Sequence, residues 1–537
     1  MADAVVIGAG PNGLVAAALL ADAGWDVVVV EAQDTPGGAC RSGEVTAPGF
    51  SSDLFSAFHP LAKASPVLGG LGLQEHGLRW THAPQVLAHP TPDGRTAVLD
   101  RSLDVTAASV SAYSPGDGDA WRRLAAQWQQ LREPLLASLF TPFPPVLPAT
   151  RLVRALGTAE LLRFARFAVL PVRRFAEEEF GGAGAGLLLA GNALHTDLGP
   201  EGAGSAIFGW LLAMLGQDVG FPVPVGGAGS LTAALVARGA AAGVQLVLGT
   251  RVRRVVLRGG RAVAVLTEDG REIEATRAVL ADVDAPQLYL DLVGADHLPA
   301  RLQADLRRFD WDNGTVKVDW ALSAPIPWAA PGCSGAGTVH LGGDLDDLSV
   351  TSGELARGLV PASPFALLGQ MTTSDPSRSP AGTESAWAYA HVPQHPRGDA
   401  GDGGIGAHWA ATDVERFAER LEDVVERWAP GFGSLIVGRH VQGPRELEDH
   451  DGGLRLGALN GGTAAIHQQL VFRPVPGLGR AETVVPGLYL AGMSAHPGGG
   501  VHGGPGANAA RAALRAHGLL GPVRRGLVQA LHRRIYA

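Results

Sequence analysis

The amino-terminal strand, turn and helix restrict the fold of this chain more than any other part of it. Ala4 to Ile7 is an apolar run short enough for a buried strand. Gly8-Ala-Gly10-Pro11-Asn12-Gly13 follows at once, and Leu14 to Ala23 reads as a helix of small residues. After Gly24 a second strand spans Asp26 to Val30 and ends in Glu31. In such a unit Gly8 permits the tight turn, Gly10 lets a pyrophosphate approach the backbone, and Gly13 lets helix and strand pack closely. Pro11 and Asn12 complete the turn, and the helix start offers free amides and a partial positive charge to phosphates. Glu31, about 20 residues on, is placed to accept from ribose hydroxyls, and its charge repels a 2′-phosphate.

With 74 glycines in the chain, a glycine motif alone carries little weight. Here the motif follows a strand, precedes a helix and has its acid in place, which is the context dinucleotide binding requires. Gly37-Gly38, within Pro36-Gly-Gly-Ala-Cys-Arg41, allows a second backbone approach to the same pyrophosphate, with Arg41 to offset its charge. Read alone, it is equally an ordinary Pro-Gly-Gly turn. Near the other end, Val485 to Gly492 reads as a strand and Pro505 to Ala516 as a helix. Between them lies a glycine-rich segment holding His496, Gly499, Gly500 and Val501. A strand that passes through glycines into a helix start again presents unpaired amides to something negative. The pyrimidine end of a flavin, anionic once reduced, suits that position.

Val6-Ile-Gly-Ala-Gly-Pro-Asn-Gly13, the Gly37-Gly38 doublet and His496-Pro-Gly-Gly-Gly-Val501 together resemble the phytoene desaturase-like FAD-dependent oxidoreductases. Within that group the likeness is to the pyridine nucleotide-disulfide oxidoreductase domain-containing protein 2 branch and its related bacterial carotenoid ketolases. Pro224-Val-Gly-Gly-Ala-Gly-Ser-Leu231, Ser374 to Gly382, Ala386 to Pro393 and Phe472-Arg-Pro474 extend the resemblance along almost the whole chain. It implies an α/β fold in which a Rossmann-type FAD-binding domain is assembled from residues 1–79, 223–289 and 451–520. A second, α+β substrate domain would take residues 80–222 and 290–450, leaving 521–537 as a tail. The implied cofactor is FAD, held by Gly8, Gly10, Pro11, Asn12, Gly13, Glu31, Gly37, Gly38, Arg41, Val252, Gly492, Gly499, Gly500 and Val501. The backbone of Arg251-Val252-Arg253 would run along the adenine. In one place the chain departs from the desaturases: they carry arginine directly after the doublet, where Ala39 stands here, so a carotenoid substrate is not inferred.

Local patterns agree with that division. Gly226 to Gly229 opens a helix from Ser230 to Gly243, and Val244–Leu248, Arg251–Arg258, Arg261–Glu268 and Glu272–Leu280 read as strands between glycine turns. Neither Gly181–Gly186 nor Gly226–Gly229 has the strand and acid of a nicotinamide site. Electrons taken by the flavin would therefore leave by oxygen, a quinone or a diffusible carrier.

Composition excludes other classes. A net charge of −9 with mixed signs gives no basic footprint for nucleic acid. Cys40 and Cys333 stand far apart, so neither a redox dithiol nor a cysteine-rich metal site is expected, and no metal-ligand cluster shows recognisable spacing. No apolar run approaches the ~20 residues of a membrane span, and no basic leader precedes one, so the expectation is a cytoplasmic protein. Residues 151–176 carry six arginines and one glutamate among apolar residues. That segment suits peripheral contact with an anionic membrane, or a solvated face paired with Glu177, Glu178 and Glu179.

In the substrate half, Val316, Val318 and Trp320, and likewise Trp387, Tyr389 and His391, alternate as half-buried strands of one sheet would. Ile207, Leu211 and Leu215 share a helical face that either lines an apolar channel or packs in the core. Flavin oxidation of a carbon–hydrogen bond needs a positioned substrate and one group to take a proton. His496 is the candidate by position, with a packing role as the alternative, and His59 and His502 stand behind it. The expected activity is oxidation of carbon–hydrogen bonds of an apolar or lipid-like substrate. The alternatives are redox-neutral isomerisation with reduced flavin, and FAD-stabilised docking without turnover.

Overall fold

A computed structural model describes residues 1–537. Two seven-stranded sheets dominate it. Their strands, in chain order, are β1 (Ala2–Ile7), β2 (Val27–Val30), β3 (Gln85–Pro90), β4 (Thr96–Leu99), β5 (Gln245–Val247), β6 (Val252–Arg258), β7 (Arg261–Thr267), β8 (Glu272–Ala281), β9 (Gly314–Leu322), β10 (Ala336–Leu341), β11 (Ala366–Gln370), β12 (Glu384–Val392), β13 (Ile436–Gln442) and β14 (Leu488–Leu490).

The first sheet runs β6-β7-β8-β1-β2-β5, with β14 also paired to β8. Its inner strands are parallel and in register, Ile7 opposite both Val30 and Ala281, and Ala281 opposite Leu490. The turns after β1, β2, β8 and β14 therefore meet at one carboxyl edge, which is where open parallel sheets bind ligands. The helices α1 (Pro11–Asp22), α2 (Asp117–Leu139), α3 (Val146–Phe167), α4 (Val172–Glu179), α5 (Ala183–Leu194), α6 (Ser205–Val219), α7 (Ala228–Ala241), α8 (Ala411–Trp428), α9 (Pro444–His450), α10 (Gly504–His517) and α11 (Gly521–Tyr536) complete the framework. On one face of the first sheet α1 packs against α7 and α10. Ala16, Ala17, Ala509 and Ala510 keep those helices thin enough to approach, and Gly506 lies directly against the Asn12 backbone. The expected order of strand, helix and strand is present from Ala2 to Val30, and α11 makes the chain end a helix, its Tyr536 hydroxyl donating to the Pro476 carbonyl (2.8 Å).

The second sheet runs β13-β9-β12-β11-β10-β3-β4. As the alternation suggests, β9 and β12 are antiparallel neighbours, Lys317 opposite Tyr389 and Asp319 opposite Trp387. They are not half-buried, however, because every residue of β9 is buried. Val316, Val318 and Trp320 pack in a core completed by Phe417, Leu421 and Val425 of α8, while the opposite face looks into an internal cavity. Of the α6 face, Leu215 is fully enclosed and Ile207 and Leu211 are half-buried against the same core, which Trp210 and Met214 complete.

A buried ion pair ties the two halves together. Arg378 donates to Asp53 (3.0 Å), both side chains being wholly enclosed. Asp53 also accepts the Ala228 N–H at the start of α7 (2.7 Å) and the Ser42 hydroxyl (2.7 Å).

Candidate cofactor and substrate site

The carboxyl edge of the first sheet opens into a cavity of about 400 Å³ that extends to the second sheet. One end is walled by Glu31, Arg251 and Val252, the middle by Gly8, Gly10, Pro11, Asn12, Gly38 and Arg41, and the far end by Gly500, Val501, Phe58, Lys317, Trp387 and Tyr389.

The middle is a backbone cradle. Gly10 caps α1 with no side-chain partner, and Pro11 occupies its first turn. The Gly37 N–H donates to the Ala9 carbonyl (2.9 Å), drawing the two glycine turns together. A Cβ on Gly38, whose φ is +51°, would stand 3.2 Å from the Gly10 Cα, and one on Gly10 only 2.8 Å from Asp282 Oδ2. Glycine at both positions lets the two turns and Asp282 come this close together along the cavity wall. Glu31 sits at the end of β2 with its carboxylate accepting the N–H groups of Ala9 (2.7 Å) and Gln33 (2.8 Å). Arg41 donates to the carbonyls of Gly38 (2.9 Å) and His450 (2.6 Å), bridging the doublet to α9.

Not all the expected residues reach the wall. The Gly13 N–H is taken by Asp282 Oδ2 (2.7 Å). Gly492 is pressed against the Val283 backbone, and Gly499 leaves room for Asn460, whose Cα lies 2.7 Å from where a Cβ would be. His496 is buried behind the cavity, its ring 6.2 Å from that of Phe143, and burial pulls its pKa down to about 4. Packing accounts for that position: the end of α2 and the residues after it lie against the ring, and His496 is not among the residues that line the cavity. His502 is similarly covered, against Phe140. His59 lies beside Trp80.

The far end contains groups that the sequence assigns to no site. Thr315 and Lys317 of β9, Thr338 of β10 and Trp387 and Tyr389 of β12 line it from one sheet face. Lys317 is ion-paired with Asp319. His195, just past α5, joins the wall, and its Nε2 meets Nε2 of His340 at 2.8 Å. Leu459 and Asn460 come from a loop clamped on both sides. Asp312 accepts the N–H groups of Leu459 (2.7 Å), Asn460 (2.8 Å) and Gly462 (3.0 Å), and the buried Arg473 donates to the carbonyls of Asn460 (2.7 Å) and Met493 (2.9 Å). The Asn460 amide nitrogen is left buried without a protein acceptor.

A family model described as flavin containing amine oxidoreductase matches residues 12–514. The chain belongs to that family. Its members are FAD-dependent oxidoreductases, and so is this protein. It is 28% identical over 557 residues to pyridine nucleotide-disulfide oxidoreductase domain-containing protein 2 of Mus musculus, covering 96% of this chain and 93% of that protein. It is 26% identical over 510 residues to phytoene desaturase (lycopene-forming) of Pseudescherichia vulneris, covering 94% and 96%. A solved putrescine oxidase bound to putrescine superposes with a TM-score of 0.60 at 18% identity, covering 96% of this chain and 98% of that one, a likeness of fold. The cradle fits FAD on its geometry: two glycine turns with no room for a Cβ at Gly8, Gly10 or Gly37, a glycine N-cap that puts no side chain of its own between the start of α1 and the cavity, and an amide nitrogen with no partner at the far end.

No helix is long and apolar enough to cross a membrane. In the 151–176 segment Arg163, Arg166, Arg173 and Arg174 pair with Glu160, Glu178, Glu201 and Glu178 respectively.

Proposed function

We propose that this flavoenzyme oxidises a carbon–hydrogen bond of a largely apolar, lipid-like substrate by hydride transfer to the flavin. The observation that carries the reading is the single cavity joining the glycine cradle to the aromatic end. Bound there, the cofactor supplies the hydride acceptor, and the chain supplies position and exclusion of water. In this reading Glu31 and Val252 hold the adenosine, and Gly10, Gly38 and the α1 start hold the pyrophosphate. Gly500 and Val501 back the ring. Phe58, Trp387 and Tyr389 offer the apolar surface for substrate. Lys317, Thr315 and Thr338 favour a polar group at the substrate's inner end. His195 is the histidine on the wall; burial pulls its pKa down to about 3 and its Nε2 is engaged by His340, so in this reading it is a neutral group that positions substrate by hydrogen bonding. Electrons pass on to oxygen, a quinone or a diffusible carrier.

For the 151–176 segment, contact with an anionic membrane surface is supported by exposed Val153, beside Arg151 and Arg154, and exposed Leu162, on the two helical pieces of α3 that meet at a break at Gly157, with Val146 and Leu147 exposed just before the segment. The test of the whole reading is to denature the purified protein, identify the released small molecules by mass, and add any lipid found back to the holoenzyme without oxygen. Bleaching of the flavin absorbance supports oxidation. Product formed only after prior reduction of the flavin would mean isomerisation, and indifference to the lipid would refute turnover on it.

A further inference from the structure

The place where the pyrophosphate must pass is crowded with carboxylates. Asp282, the first residue after β8, puts Oδ2 on the Gly13 N–H (2.7 Å), and the same oxygen lies 2.8 Å from where a Gly10 Cβ would be. Across the groove, Asp451 Oδ2 is 3.4 Å from the corresponding point on Gly38. A Cβ on Gly38 would stand 3.2 Å from the Gly10 Cα, so the two glycines neighbour each other on the cavity wall with one acid beside each. Glu31, from the end of β2, is the third acid on this wall. The charged groups facing Asp282 are therefore Glu31 and Asp451, with Arg41 beyond Asp451 as the cation of the doublet turn and Asn12 of α1 as the polar neighbour.

A pyrophosphate diester is a dianion. Placing it beside an ionised Asp282 sets like charges together where little water remains, and like charges at such range drive one site to take a proton. Asn12, nine-tenths enclosed, reaches Asp282 with its amide and, like the Gly13 N–H, favours the ionised acid, while its amide oxygen is left without a donor. A hydrogen on Asp282 would turn the acid from competitor into donor, available to a phosphate oxygen or to Asn12.

We propose that Asp282 meets the FAD pyrophosphate as a protonated acid, so that the protein takes up a proton from solvent at this side chain when it binds its cofactor. The inference rests on the reading that the pyrophosphate lies in the Gly10–Gly38 groove. Before the cofactor adds its charge, burial, with Asp451 and Glu31 close by, already pushes Asp282 up to about 7 against the pull of the Gly13 N–H and the Asn12 amide. The proton-bound form is the binding form. Affinity for FAD is then full below neutral pH and falls as pH rises above it.

The experiment is equilibrium dilution of the holoenzyme between pH 6 and 9, reading free FAD by its fluorescence. The dissociation constant of the wild type should be flat up to about pH 7 and then rise by about tenfold per pH unit. Asp282→Asn, which is neutral at every pH, should flatten the profile, and Asp282→Ser is made alongside it in case the amide variant does not fold. Asp451→Asn should keep the slope. A flat wild-type profile, an unchanged slope in the Asp282 variants, or loss of the slope in Asp451→Asn would each overturn the proposal. Gly10→Val separates this from the underlying reading. Normal FAD content in that variant would remove the groove assignment itself, whereas loss of FAD with a flat wild-type profile would remove only the role of Asp282.

Discussion

Replacing Glu31 by alanine tests the adenosine end of the site. The carboxylate holds two backbone N–H groups, those of Ala9 (2.7 Å) and Gln33 (2.8 Å), and it lines the cavity beside Val252. It therefore has two separable roles, fixing the glycine turn and receiving a ribose hydroxyl. The first is present with and without FAD and appears as lost stability of the FAD-free protein. The second exists only in the complex and appears in the dissociation constant. A hydrogen bond to a charged group contributes about 1.5–3 kcal/mol. Losing the ribose bond should thus weaken FAD binding roughly 10- to 150-fold, at about 1.4 kcal/mol per decade. Equilibrium dialysis against FAD gives the constant, and thermal melting of the FAD-free protein reports the turn. Glu31→Gln, which keeps one acceptor oxygen, should fall between wild type and alanine in both measurements. If Glu31→Ala lowers the melting temperature but leaves the dissociation constant within about twofold, the carboxylate serves only the turn and the ribose assignment is refuted.

Gly38→Ala places a methyl group at φ +51° against Gly10, and left-handed backbone costs an L-residue about 1–2 kcal/mol. FAD retention should drop about tenfold or more, read from flavin absorbance after gel filtration, and full retention would mean the doublet does not form the cradle. Asp53→Ala strands the enclosed Arg378 and should destabilise the fold by about 3–5 kcal/mol. Asp53→Ala with Arg378→Met should recover part of that loss in thermal denaturation, and strictly additive losses would contradict a coupled pair. Arg473→Met removes the cation that gathers the carbonyls of Asn460 and Met493, and should raise proteolytic cleavage within residues 459–463 of the holoenzyme. Unchanged cleavage would mean that Asp312 alone holds that loop.

What the sequence reveals of this protein divides along a physical line. Gly8, Gly10 and Gly38 are legible because close backbone approach and left-handed φ leave few residue types to choose from, so local chemistry announces itself. Asp282 is not legible in this way. It acts on Gly13 from 269 positions away, and periodicity that marks β8 as a strand says nothing about which turn its end will touch. His496 shows the reverse failure. The segment carrying it does reach the first sheet, with Gly500 and Val501 on the wall, but the surroundings of one ring are set by Phe143, a residue from the distant loop between α2 and α3.

The second sheet extends that point to polar residues. Thr315, Lys317 and Asp319 occupy the alternate positions between Val316, Val318 and Trp320, and alternation of this kind ordinarily marks a face open to water. Here both faces are buried, so the polar one must look into an internal space. Lysine is scarce in this chain, with only Lys63 and Lys317, and an ammonium enclosed in protein is costly unless a partner offsets it. Asp319 does so, and burial raises that acid's pKa against the pull of Lys317. Such a pair is weak evidence for stability, since apolar residues of the same volume would hold a sheet at least as well. The presence of Lys317 on the wall shared with Trp387 and Tyr389, with Asp319 behind it, is better explained by what occupies the cavity than by what holds the sheet.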